Sequence, residues 1–100
     1  MPPRRFRGLE RTTVFDREVL IATCALSRLM GLALLDRADA GDGLLIPGCR
    51  CVHTFGMRFR LDVHFLDDSG TPLEARLALP PGRIVGRRRA DAVLELPTGS

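Results

Sequence analysis

Apolar residues recur at a helical period in the first third of the chain. After Thr23, whose hydroxyl suits a helix N-cap, they fall three and four residues apart, at Leu26, Leu29, Met30, Ala33 and Leu34. This spacing predicts one amphipathic helix, and we expect Leu26, Leu29 and Met30 to pack on a sheet. Gly31 lies inside the pattern and is expected to end the regular helix in a left-handed conformation, with a looser continuation to Asp36.

Two short strands are predicted before this helix. Residues 12–15 and 18–21 are rich in β-branched and apolar side chains and flank Asp16-Arg17, where we expect a tight connection. Residues 1–10 carry two prolines and three arginines and have little to bury, so a flexible basic arm is predicted there. Residues 11–100 are expected to form one domain, because a chain of this length holds a single core.

The period changes to two from residue 44 onward. Residues 44–46 form a short apolar strand, and the alternation that follows predicts one shared face. That face consists of Cys49, Cys51, His53 and Phe55. A second alternation, over residues 61–66, places three apolar side chains toward the core. They are Leu61, Val63 and Phe65.

The remaining segments are short strands separated by turn signals. Asp67-Asp68-Ser69-Gly70 predicts a tight turn with Gly70 in the left-handed region. Further strands are predicted at residues 72–77, 83–85 and 92–96. One helix followed by several strands predicts an α+β fold, with a small, curled, barrel-like antiparallel sheet and one helix from the N-terminal half packed on it.

Composition narrows the classes of function. Hydrophobic residues make up 45% of the 100 residues and charged residues 27%, as in ordinary globular domains. The net charge is only +3, and acids are interspersed with arginines along the chain, so no specific nucleic-acid binding is expected. The run Arg87-Arg88-Arg89 is interpreted as a solvated loop.

Cysteine usage and the apolar segments suggest a compartment. Three cysteines cannot all pair, so a reducing, cytoplasmic environment is expected. The uncharged stretches at residues 19–27 and 29–35 are too short to span a bilayer, and acids separate the basic N-terminus from the apolar run. We therefore expect no membrane partner and a monomer or weak dimer.

Several pieces of the sequence carry a family resemblance. In order, they are Arg28 with Gly31-Leu32, Gly43-Leu44-Leu45, CRCVHTFGMRFRLDVHFLDDSG and VLELPTG. Over about residues 19–99 the chain resembles the domain of unknown function 192 family. The resemblance implies a small α+β domain with a curled antiparallel sheet and no established activity.

The same resemblance marks particular polar positions. Carried over residue by residue, they are His53, Met57, Asp62, Glu95 and Gly99. The chain departs from the family pattern at Arg60, where a proline is usual, and it stops soon after Gly99, where many relatives continue into a further strand.

One candidate chemistry is a soft-metal site. Cys49, Cys51 and His53 offer thiolate and imidazole ligands on one strand face, and Met57 adds a thioether, a set suited to zinc or copper. The C-x-C-x-H spacing is not that of a zinc finger or ribbon. Buried, inert cysteines are the commoner interpretation.

A second candidate is a thiol-dependent hydrolase. His53 or His64 would act as base, Asp62 would orient it, and a cysteine would be the nucleophile. No local motif supports this constellation, so a structural histidine is favoured. Asp62 and Glu95 each interrupt an apolar strand, where a carboxylate anchors a turn, pairs with Arg28 or Arg58, or lines a ligand pocket.

These observations together favour a binding module without chemistry of its own. The candidate ligand-binding residues are His53, Met57, Asp62 and Glu95, and the partner is an unidentified small molecule, peptide or protein. No cofactor and no catalytic residue are predicted. Soft-metal binding through Cys49, Cys51, His53 and Met57 is the alternative.

Overall fold

The protein is described from a computed structural model covering residues 4–22 and 31–99. Within these residues, eight strands account for most of the regular structure. They are β1 (Arg11–Val14), β2 (Arg17–Ile21), β3 (Leu44–Pro47), β4 (Cys51–His53), β5 (Leu61–Leu66), β6 (Pro72–Leu79), β7 (Ile84–Gly86) and β8 (Ala92–Pro97). Short 3-10 turns occur at Arg4–Phe6 and Arg37–Asp39.

The strands form two sheets. Six of them form a sheet with the order β1-β2-β3-β8-β5-β6, in which β2 and β3 run parallel and the other neighbours antiparallel. β4 and β7 pair with each other in a separate antiparallel ribbon. The last strand in sequence, β8, therefore lies in the middle of the main sheet.

The α+β prediction is wrong for this fold. The described residues contain strands, turns and two short 3-10 segments but no α-helix, and their main sheet is open and mixed, not barrel-like. Gly31 has the left-handed φ expected of it (+53°), but Leu34 is also left-handed (φ +64°), which a looser continuation of the helix does not allow. Residues 23–30 of the predicted helix, with Leu26, Leu29 and Met30, lie outside the described residues. None of the described elements is a helix able to cross a membrane.

Local signals located both hairpins, but the first turn lies one residue earlier than predicted, at Phe15-Asp16 instead of Asp16-Arg17. β1 and β2 are joined by Phe15 and Asp16, both at positive φ (52° and 61°), which matches the right-handed twist of a two-residue hairpin. At the next predicted turn, Asp67 Oδ1 accepts hydrogen bonds from the backbone N–H groups of Ser69 and Thr71, and Gly70 has φ +83°.

Both faces of the main sheet are covered. The three alternating residues predicted for the core of β5 are fully buried, which confirms that prediction. They belong to the main core cluster, and a smaller cluster of Val19, Leu66, Leu94 and Leu96 packs on the opposite face. β8 is therefore buried on both faces, as expected for a strand between two layers, whereas β5 carries the half-buried Asp62 and His64 on its second face.

Part of the segment predicted as a basic arm is packed on the domain. Phe6 is only 5% exposed and belongs to the main core. Arg5 Nη1 donates to the carbonyl oxygens of Gly31 (3.0 Å) and Ala33 (2.7 Å). Residues 5 and 6 therefore contribute to the fold, while the flexibility of the arm stays a prediction.

Candidate functional site

The two candidate carboxylates lie on opposite faces of the main sheet. In the register between β5 and β8, Val63 is opposite Glu95 and Asp62 is opposite Leu96. Residues directly opposite each other share a face, and successive residues alternate. Glu95 therefore points into the main core with Val63, whereas Asp62 lies on the other face.

Glu95 is an acid inside an apolar core. It is 3% exposed, and Leu44 and Val63 are its direct cross-strand neighbours. Its Oε1 has no hydrogen-bond partner within residues 4–22 and 31–99. Burial raises the pKa of Glu95 from 4.5 to about 7, against the smaller effect of a hydrogen bond from the Leu32 backbone N–H. A carboxylate in an apolar strand was expected to anchor a turn, pair with an arginine or line a pocket. The hydrogen bond with Leu32 fits the first of these roles, with residues 31–34 as the turn.

Asp62 holds an irregular part of β6. Its Oδ1 accepts hydrogen bonds from the Ala78 backbone N–H (2.8 Å) and from Thr98 Oγ1 (2.7 Å). Ala78 has φ +53°, and Arg60 Nη1 donates to its carbonyl oxygen (3.0 Å). A backbone amide therefore engages Asp62, and the acid supports a β-bulge between β5 and β6.

The other two candidate residues lie elsewhere. Met57 is 6% exposed and packs in the main core, whereas His53 is exposed on β4. His53 Nδ1 accepts a hydrogen bond from the Phe55 backbone N–H (3.2 Å). The structure therefore does not gather the four predicted ligand-binding residues into one pocket.

The predicted metal ligands are not arranged as a site either. Cys49 Sγ donates to the carbonyl oxygen of Cys51 (3.2 Å), and neither cysteine forms a disulfide. Over the described part of the chain, no group of three or more His, Cys, Asp or Glu side chains is placed to hold a metal ion. The metal alternative thus gains no geometric support.

His64 lies on the same face of the main sheet as Asp62. His64 meets Phe15 edge-on, with ring centroids 5.2 Å apart. Burial lowers the pKa of His64, Asp62 opposes this effect, and Arg17 adds to it. Asp62 and His64 of the supposed hydrolase therefore lie in the main sheet, whereas the alternative base, His53, belongs with Cys49 and Cys51 to the ribbon region.

Two clefts lie away from the candidate residues. One, of about 360 Å³, lies beside Phe6 and the loop of residues 38–43. The other, of about 410 Å³, lies between the β1–β2 hairpin and the turn at residues 67–70. Neither is lined by His53, Met57, Asp62 or Glu95. A small-molecule site built from those four residues is not supported by either cleft.

An apolar surface on the β4–β7 ribbon was missed by sequence reasoning. Ile84 (67% exposed) is the cross-strand neighbour of His53, whose ring lies 5.7 Å from that of Phe55 (51% exposed). Leu34, 53% exposed, donates its backbone N–H to the carbonyl of Gly56 (2.8 Å) and packs over that glycine. We call these four side chains, Leu34, His53, Phe55 and Ile84, the ribbon face.

The ribbon and its flanks also carry the positive charge of the protein. Residues 48–55 and 80–90 contain five arginines and no Asp or Glu, so the remaining residues have a net charge of +3 − 5 = −2. The five are Arg50, Arg83, Arg87, Arg88 and Arg89. In the described part of the chain, Arg87 is paired with Glu74, and the other four have no carboxylate partner. The interspersed charges of the sequence thus become asymmetric in space.

Comparisons with known proteins bear on family and fold. A model of the domain of unknown function 192 family, described as "Uncharacterized ACR", matches residues 7–100. No curated protein matches the chain in sequence.

Two solved structures are similar to this fold. One is a protein of unknown function from Novosphingobium aromaticivorans, 18% identical, with a TM-score of 0.67 over 89% of this chain and 71% of that chain. The other, from Sinorhizobium meliloti, is described as a candidate transcription regulator and is 23% identical, with a TM-score of 0.71 over 89% of this chain and 78% of that chain. At these identities, the likeness extends to the fold alone.

Proposed function

This chain belongs to the domain of unknown function 192 family, and we propose that it is a non-catalytic binding module that recognises a protein segment through the ribbon face. The observation that carries this proposal is the contiguity of exposed apolar side chains on a two-stranded ribbon. Ile84, His53 and Phe55 follow one another through cross-strand pairing and ring contact, and Leu34 extends the surface over Gly56. Contiguous exposed apolar surface is typical of interaction sites.

The positions of the polar groups support binding over catalysis. Asp62 is committed to Ala78 and Thr98, and Glu95 is enclosed by the core. A general acid or base must reach a reacting atom, which is hindered for an enclosed carboxylate and for one that already accepts two hydrogen bonds. The exposed groups of the ribbon face instead suit contact with another chain.

A protein segment fits this surface better than a small molecule does. Small-molecule sites are concave and surround most of the ligand. The four side chains of the ribbon face are exposed, Leu34, Phe55 and Ile84 by half or more, and none of them lines either cleft. The likeness to the Sinorhizobium protein, at 23% identity, supports a common fold and nothing finer.

Selection from a displayed peptide library tests the proposal. Peptides enriched on the purified protein should bind with roughly micromolar affinity, as is common for short segments. Ile84→Asp should weaken that binding at least about tenfold, because it places an unpaired charge in an apolar contact. Leu77→Asp is the matched control, since Leu77 is 64% exposed on β6, outside the ribbon.

The location of the binding site decides the outcome. Amide chemical-shift changes should concentrate on residues 51–56 and 84–86. The proposal is overturned if no peptide is enriched, or if Ile84→Asp and Leu77→Asp weaken binding equally.

A further inference from the structure

We infer that the partner of the ribbon is an extended acidic strand, which pairs with the outer edge of β7 and thereby adds a third strand to the β4–β7 ribbon. This inference rests on the proposed function and names its partner class and binding mode. The edge geometry, the blocked neighbouring edge and the charge around β7 carry it, in addition to the apolar side chains.

The hydrogen-bond pattern shows which backbone groups of β7 face outward. Thr54 donates its N–H to the carbonyl of Arg83 (2.8 Å), and Arg87 donates to the carbonyl of Arg50 (2.9 Å). In an antiparallel ladder, hydrogen-bonded and non-bonded pairs alternate. The pairs His53–Ile84 and Cys51–Gly86 in between are therefore non-bonded, and the N–H and C=O groups of Ile84 and Gly86 point away from β4.

The outward edge of β7 is open. Among the described residues, no third strand lies beside it, and Ile84 and Gly86 are both exposed. Two N–H and two C=O groups at alternate positions are the set that an incoming strand uses in strand addition.

The equivalent edge of β4 is less available. There the Cys49 thiol already donates to the outward carbonyl of Cys51. At the other end, the Phe55 N–H turns back onto the imidazole of His53. Local contacts thus occupy the β4 edge, and β7 is the side of the ribbon that can accept a strand.

The two edges of the main sheet are also less suitable. β6 begins with the exposed Pro72 and is interrupted by the bulge at Ala78, both of which protect an edge against pairing. β1 carries Arg11, Thr12, Thr13 and Val14, without an exposed large apolar side chain. β6 also carries an exposed apolar residue, Leu77, but within the described chain only β7 joins such a residue to an edge without a proline or a bulge.

The positive charges around β7 favour an acidic strand as its partner. Arg83 and Arg87 flank the strand, and Arg88 and Arg89 follow directly. If a second copy of the chain paired antiparallel about Val85, Arg83 of each copy would lie opposite Arg87 of the other, and like charges directly opposite are destabilising. A strand with carboxylates at those two positions would gain an opposite-charge pair with Arg83 instead, and a second with Arg87, which it would share with Glu74.

The register predicts a five-residue pattern in the partner. Residues opposite Ile84 and Gly86 share the exposed face of the ribbon, so apolar side chains there extend the ribbon face. Residues opposite Arg83, Val85 and Arg87 point the other way, and acids suit the first and last of these. The expected motif is acidic–apolar–any–apolar–acidic.

A peptide is favoured over nucleic acid for the same surface. Phosphates would also be attracted by the arginines. However, single-stranded nucleic-acid sites rely on several aromatic platforms, whereas the exposed apolar residues here are Phe55 with the aliphatic Leu34 and Ile84. Unpaired N–H and C=O groups in alternation match a peptide backbone.

A peptide of about ten residues centred on Glu-Val-Thr-Val-Glu provides the test. It should bind at least about tenfold more tightly than the same peptide with Lys in place of Glu, because two charge pairs replace two repulsions. N-methylation of the two valine amides, which face Ile84 and Gly86 in this register, should abolish binding and leave the protein unaltered. Amide hydrogen exchange at Ile84 and Gly86 should slow when the unmethylated peptide is bound.

A charge exchange provides the matched protein control. Arg83→Glu should weaken binding of the acidic peptide and strengthen binding of the lysine peptide, whereas Arg11→Glu, on β1, should leave the preference unchanged. Equal affinity for the two peptides overturns the inference, as does tighter binding of a DNA duplex than of the acidic peptide at physiological salt.

The outcomes separate this inference from the proposed function. If N-methylated peptides still bind and Ile84→Asp still abolishes binding, side-chain docking occurs without strand addition. The inference then fails while the proposed function stands. If library peptides do not map to the ribbon at all, the proposed function fails as well.

Discussion

Gly31 packs directly against the carboxyl group of Glu95. A Cβ added at Gly31 would lie 2.7 Å from Glu95 Oε1, closer than real Cβ contacts allow. Gly31 also has φ +53°, which side-chain-bearing residues rarely adopt. Arg5 donates to the carbonyl of this glycine from another part of the chain. The turn at residues 31–34 is thus held between the sheet and the N-terminal segment.

Gly31→Ala should therefore destabilise the protein by two effects. We expect about 2–4 kcal/mol, from the left-handed backbone and from displacement of the buried carboxyl group. Gly41→Ala is the matched control, because Gly41 has φ +67° but open space around its Cβ position, and should cost only about 1–2 kcal/mol. Urea unfolding of both variants measures the difference, and equal losses would contradict the contact.

Glu95 should make stability fall as the pH rises. Its pKa is raised from 4.5 to about 7 in the folded protein, so between these values the folded state binds more protons than the unfolded state. The stabilisation is complete below pH 4.5 and is lost as the pH rises through 7, by about 3 kcal/mol in all.

Glu95→Gln isolates this effect. The pKa of His64 is lowered, so that residue contributes with the opposite sign: stability is lost as the pH falls below the ordinary histidine value of 6.5. This contribution is common to the wild type and the variant. Urea unfolding at pH 5 and pH 8 should show a drop for the wild type relative to Glu95→Gln. Parallel pH profiles would contradict the assignment.

We expect the hydrogen bonds of Asp62 to contribute more to the stability of the fold than its charge does. Asp62→Leu leaves the Ala78 N–H and the Thr98 hydroxyl without their acceptor and should cost about 1–3 kcal/mol. Asp62→Asn keeps an oxygen at the same place and should cost less. Asp68→Leu, at an exposed position of the neighbouring turn, is the control for surface hydrophobicity. A fully stable Asp62→Leu protein would remove the structural role and return Asp62 to the candidate ligand residues.

Ala78 should tolerate glycine better than its strand position suggests. Its φ of +53° costs an L-residue about 1–2 kcal/mol, so Ala78→Gly should stabilise the fold by up to about 1 kcal/mol. Ala75→Gly, in the same strand, should destabilise it by about 0.5–1 kcal/mol. Thermal unfolding distinguishes the two, and a loss at both positions would contradict the bulge geometry.

Nucleic-acid binding should be weak and strongly dependent on salt. The five arginines around the ribbon attract phosphates, but the rest of the chain has a net charge of −2. Fluorescence anisotropy with a labelled duplex should show binding that disappears near physiological salt. A sub-micromolar complex at that salt concentration would contradict the expectation and favour a nucleic-acid role for the ribbon.

The sequence by itself determined the elements whose signals are local. The alternation of residues 61–66 and the turn at residues 67–70 were predicted because their side chains and hydrogen bonds involve near neighbours. The chain also showed its family through motifs readable without a structure. The prediction of a helical continuation through residues 31–34 was wrong, because the apolar spacing there also fits a turn. A hydrogen bond from Arg5 and contact with Glu95 hold that turn against the core.

Only the tertiary structure decided where the candidate groups lie. Whether Glu95 faces the core and Asp62 the opposite side depends on the register between β5 and β8, and a shift of one residue would reverse it. The ribbon of β4 and β7 likewise brings together segments about thirty residues apart, and with them the exposed Ile84 and Phe55 and five arginines. Hydrogen bonds between distant segments determine the register and the pairing of these strands. The periodicity of a single strand does not indicate which strand it pairs with.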